Sequence, residues 1–98
     1  MTWTGDICDD TLNQIHVFGA SYIVQMGDCE TNYLMDYSSC LSEAEMLHYD
    51  TGLTDFSICR LTIALDGEVD QTIWDGHVVE GKATAFLRQN PSTNVNIL

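Results

Sequence analysis

The chain has 98 residues, enough for one domain, and is 45% hydrophobic with fifteen acids against three bases, a formal net charge of −12. That hydrophobic share excludes a disordered acidic tail, and no run approaches the roughly 18 apolar residues of a membrane span. Direct binding to nucleic acid or to an anionic membrane is not expected, because both need a basic surface and this one repels phosphate.

In chain order, Met1-Thr2-Trp3-Thr4-Gly5-Asp6 has neither the basic n-region nor the apolar h-region of a secretory signal, so a cytoplasmic location, that of a host cell, is expected. Leu12, Ile15, Gly19, Tyr22, Ile23 and Met26 recur at helical spacing. Yet Ile15-His16-Val17-Phe18 and Ser21-Tyr22-Ile23-Val24 are rich in β-branched and aromatic residues, which favours strands. The expectation here is strands over about 14–25 and 32–37, with a single helical turn after Asp9-Asp10-Thr11.

Ser42-Glu43-Ala44-Glu45 reads as a capping box, with Ser42 as N-cap and Glu45 three residues on. It predicts a helix over about 42–50, stopped by Gly52 in the left-handed conformation. Phe56 to Leu65 then alternates, and the face carrying Cys59, Leu61, Ile63 and Leu65 is fully apolar. Asp66-Gly67 is a hairpin signal, followed by a strand around Val69–Trp74, a turn at Asp75-Gly76 and a third segment from His77 to Arg88. Residues 89–98, which hold the single proline Pro91, read as a polar tail. These elements predict one α+β domain over 1–98: an antiparallel sheet of about four or five strands with one or two helices packed on one face.

Cys8, Cys29, Cys40 and Cys59 form no C-x-x-C pair, so neither a zinc ribbon nor a thioredoxin-like motif is indicated. Free thiols fit a reducing compartment; two disulfides are the alternative. Phosphate-cradling glycine loops and a G-x-S-x-G elbow are absent, and His16, His48 and His77 form no H-E-x-x-H. A calcium loop starting at Asp66 would need Gly and Glu where the chain has Gln71 and His77. The expectation is therefore a protein that is not an enzyme and holds no metal or cofactor.

What remains is the charge. The first 59 residues hold ten acids and no Lys or Arg, and three bases in the whole chain leave most carboxylates without an ion-pair partner. Solubility is the plain reading of such acidity. The functional one is that carboxylates imitate a phosphate backbone toward a basic partner. Residues i and i+2 on a strand lie about 6.8 Å apart, and i,i+3 or i,i+4 neighbours on a helix about 5–6 Å, both near the spacing of successive phosphates. The candidate partner-binding groups are Asp66, Glu68 and Asp70 at the hairpin; Asp28 and Glu30; Glu43, Glu45 and Asp50 on the helix; and Asp6, Asp9 and Asp10 near the N-terminus. Tyr33, Tyr37, Tyr49 and Trp74 are candidate anchors.

In size, charge and lack of a catalytic motif the chain resembles the small acidic DNA-mimic inhibitors carried by phages and mobile elements. The likeness covers the whole chain but rests on composition, and those inhibitors share no one fold, so no functional residue carries over. It implies an inhibitor of anti-CRISPR or anti-restriction type whose partner is a basic nucleic-acid-binding protein or complex. The alternatives are a small acidic structural or adaptor protein of a virion or assembly, and an immunity protein that neutralises a basic toxin.

Overall fold

A computed structural model describes residues 9–31, 34 and 36–88. Asp9 and Asp10 open helix α1 (Asp9–Phe18), where two carboxylates meet the positive end of the helix dipole. Thr11 and Ile15, one turn apart, are its buried residues. Gly19, at φ 89°, ends it, and its N–H donates to the Ile15 carbonyl at 2.8 Å. The strand expected from residue 14 is thus helical as far as Phe18: the helical spacing and the glycine stop outweigh the β-branched composition.

Strand β1 (Ser21–Met26) turns through Gly27 into the two-residue β2 (Cys29–Glu30). Of the strand expected over 32–37, only Leu34, Asp36 and Tyr37 are among the described residues. Leu34 makes one bridge to Tyr22, residues 32, 33 and 35 lie outside the described residues, and Tyr37 begins helix α2 (Tyr37–Thr51). The N-cap of α2 is Asp36, whose carboxylate accepts the Ser39 N–H at 2.7 Å. The Ser42–Glu45 pattern lies inside the helix, so the expected capping box is corrected. The helix reaches further upstream because its core stripe does: Tyr37, Cys40, Leu41, Ala44 and Leu47 all pack toward the sheet. Gly52, at φ 77°, ends the helix as expected, donating to the His48 carbonyl.

Strands β3 (Asp55–Ile63), β4 (Val69–Val79) and β5 (Lys82–Leu87) form the meander. Asp66-Gly67 makes the first turn, closed by the Ala64 N–H on the Glu68 carbonyl at 2.8 Å. The turn expected at Asp75-Gly76 does not exist: both residues lie within β4. Gly76 stands opposite Phe56, and a Cβ there would fall on the Phe56 ring and the Thr84 carbonyl. The glycine serves close packing inside a strand instead of a reversal. The chain reverses at Glu80-Gly81, whose φ values of 53° and 78° are those of a two-residue hairpin turn.

The five strands pair antiparallel in the order β2-β1-β3-β4-β5. The structure is thus the α+β domain expected. One face presents Val24, Met26, Phe56, Ile58, Val78 and Ala83 to Cys40 and Ala44 of α2, and this is the core. Register sets Ser21 opposite Leu61 on the other face, and there the Ser21 hydroxyl donates to Gln14 of α1 at 2.6 Å. One helix, α2, therefore packs on the core face, while α1 meets one end of the reverse face.

Candidate acidic interaction surface

The bases decide how much acid is left over. Arg88, at the end of β5, holds Asp75 with two hydrogen bonds, Nε to Oδ2 at 2.7 Å and Nη2 to Oδ1 at 2.5 Å. That guanidinium keeps the Asp75 carboxyl below its ordinary range. Arg60 is half-buried on β3, on the face that carries Phe56 and Ile58, its guanidinium 5.4 Å from the Trp74 ring centre and its Nη2 donating to Thr72 at 3.4 Å. Its Nε is buried without a hydrogen-bond partner. Two of the three bases are therefore engaged within the domain, and Lys82 is exposed at the start of β5.

The structure does not gather the expected acids into one patch. Asp28 is in the turn before β2, and Glu30 closes that strand at the sheet edge. Asp66 and Glu68 lie at the β3–β4 turn, where the Asp66 carboxylate accepts the Glu68 N–H at 3.0 Å. Because Gln25 pairs with Ser57 and Ser21 with Leu61, these two groups sit at opposite ends of β3. Nine residues of strand separate them, roughly 30 Å. Nor do they carry the expected i,i+2 strand spacing. Asp28 precedes β2 and Glu68 precedes β4, while Asp70 is half-buried on β4.

On α2, Glu43 and Glu45 are two residues apart and so face different flanks. Glu45 turns to the sheet edge and accepts the Ala83 N–H at 3.0 Å. Asp36, Glu43 and Asp50 recur every seven residues and share the opposite flank, about 10.5 Å apart along the axis. The Ser39 N–H and hydroxyl hold the Asp36 carboxyl below its usual value. Asp9 and Asp10 are exposed at the start of α1, and Asp6 lies outside the described residues.

The candidate anchors divide in the same way. Tyr37 and Trp74 are core-side residues, their ring centres 5.3 Å apart, and the Tyr37 hydroxyl reaches the Ala85 carbonyl at 3.4 Å. Tyr33 lies outside the described residues. Tyr49 is 89% exposed on the outer side of α2.

Four acids not singled out from the sequence stand with these, Asp36 at the start of α2 and three at the sheet. Asp55, Asp75 and Glu80 come to the end of the sheet that also carries Asp28 and the end of α2. Asp55 pairs across to His77, and the Leu53 side chain occupies the space a Cβ at Gly27 would take. An open depression of about 470 Å³ is lined there by Gln25, Asp55, Ser57, Asp75 and His77. Within it, no side-chain hydrogen bond joins Ser57, His77 and Asp55. The signal that could have found Asp55 is its place directly after the helix stop and at the start of a strand. Among the described residues, Cys29, Cys40 and Cys59 are free thiols, no group of three His, Cys, Asp or Glu is placed to hold a metal, and no helix is long and apolar enough to cross a membrane.

No family model, no curated protein and no solved structure matches the chain.

Proposed function

We propose that the chain is an acidic stoichiometric inhibitor that occupies the basic nucleic-acid-binding surface of another protein, in the manner of phage or mobile-element anti-CRISPR and anti-restriction proteins. The observation that carries this reading is the placement of charge. Arg88 is committed to Asp75 and Arg60 to Trp74 and Thr72, while carboxylates stand at both ends of the sheet and along α2. A net charge of −12 on so small a domain projects a field that a phosphate-gripping cleft would meet as it meets nucleic acid.

The imitation is of the field and not of the phosphate ladder, since the carboxylates are not spaced as successive phosphates. Lys and Arg of the partner would pair with them, association would be steered electrostatically, and the complex would weaken with salt. Affinity capture from bacterial lysate at low salt tests this. The expected result is a basic nucleic-acid-binding protein released by moderate salt and displaced by added duplex DNA. Recovery of nothing, or of a partner indifferent to DNA, overturns it.

One observation favours the reading as a structural or adaptor protein. Phe86, paired with Asp75, is 71% exposed on the β4–β5 part of the reverse face. An exposed aromatic ring suits a self-assembly contact. Sedimentation at rising concentration separates the two: a monomer throughout supports the inhibitor, a stable symmetric oligomer the assembly component.

A further inference from the structure

The outer face of α2 is exposed among the described residues. Its inner stripe, Tyr37, Cys40, Leu41, Ala44 and Leu47, packs on the sheet. At 100° per residue the opposite stripe is Ser38, Ser42, Met46 and Tyr49. Met46 is 61% and Tyr49 89% exposed. Tyrosine and methionine, here one turn apart, are both enriched at protein interfaces. The flank beside them carries Asp36, Glu43 and Asp50, and α2 contains no Lys or Arg.

Association through the sheet edges is closed or disfavoured. The outward edge of β5 is covered from α2, by Glu45 on the Ala83 N–H and Tyr37 on the Ala85 carbonyl. The edge at β2 is only two residues long. Neither edge offers a partner a strand to extend. A second copy of this chain would bring another −12 against the same carboxylates. What complements an apolar ridge flanked by acids is a cationic groove with an apolar recess.

We propose that the outer face of α2 is the docking surface, entering the cationic groove of a nucleic-acid-binding protein with Tyr49 and Met46 as anchors and Asp36, Glu43 and Asp50 facing its Lys and Arg side chains. This rests on the inhibitor reading and names the surface that performs it.

Position-specific photocrosslinking tests it. The probe is p-benzoylphenylalanine placed singly at Met46, Tyr49, Leu65 or Phe86, all exposed positions, in the full chain irradiated in bacterial lysate at low salt. The expected result is one adduct from positions 46 and 49, absent from 65 and 86, and lost on adding duplex DNA or raising the salt. With that partner purified, Tyr49→Ser should weaken binding at least tenfold, with an unchanged circular dichroism spectrum. A DNA-sensitive adduct from Leu65 or Phe86 alone overturns the α2 surface and leaves the inhibitor reading standing. No DNA-sensitive adduct from any position overturns both.

Discussion

The carboxylate of Glu45, on the third turn of α2, accepts the backbone N–H of Ala83 on the edge strand β5 at 3.0 Å. Ala83 is buried, and its N–H points away from β4, where among the described residues no further strand receives it. One helical side chain thus satisfies a main-chain donor and blunts the sheet edge. Glu45→Ala should cost about 1–2 kcal/mol, because it leaves that donor unmet, and Glu45→Gln should cost less by keeping an acceptor. Thermal unfolding of the two variants measures this. Equal stability of Glu45→Ala and the parent would contradict the role.

Glu80 is a non-glycine residue at positive φ in the β4–β5 turn, a conformation that costs L-residues roughly 1 kcal/mol. Asn adopts it more readily. Glu80→Asn should stabilise the protein by about 0.5 kcal/mol, read as a small rise in the unfolding midpoint. Loss of stability would mean the turn differs from the one described.

Burial first, then the charges of Asp36 and Glu43, pushes the Cys40 thiol up to about 12. The sign follows from that direction. The folded thiol stays protonated where the unfolded one, with an ordinary value of 9.0, has begun to ionise. The unfolded state therefore loses its proton first, and this contribution falls as pH rises above about 9. Alkylation by iodoacetamide at pH 8.5, mapped by mass spectrometry, should label Cys40 only when the protein unfolds. Rapid labelling of Cys40 in the native protein would show that it is not buried.

Salt should act on the fold and on the complex in opposite senses. Screening relieves the self-repulsion of the −12 charge, so the unfolding midpoint at pH 7 should rise by a few degrees between about 0.01 and 0.5 M salt. Asp75 works the other way as acid is added. Its carboxyl is held low by Arg88, so its stabilising share is present above the ordinary carboxylate value and is lost as pH falls through the folded one. Asp75→Asn should flatten the acid limb of the stability curve. Thermal melts across salt and pH check both.

Much of this architecture is legible in the residues, and the misses have physical causes. The Gly52 stop and the Asp66-Gly67 hairpin read correctly because each signal is local. The start of α2 did not, because Ser42-Glu45 imitates a capping box while Asp36 does the capping. The stripe from Tyr37 to Leu47 was the better guide. Gly76 looked like a turn because its real reason, the ring of Phe56 across the sheet, is distant in sequence. The acidic groups were legible as residues but not as a surface. Opposite ends of β3 divide the Asp28 and Glu68 regions, and a two-residue step on a helix turns Glu43 and Glu45 apart.

The most direct test of the inhibitor account is competition between this protein and duplex DNA for the captured partner. Mutually exclusive binding is predicted: the apparent Kd for the partner should rise in proportion to DNA concentration, and both affinities should fall with salt. A ternary complex of partner, DNA and this protein, formed without loss of affinity, would contradict it.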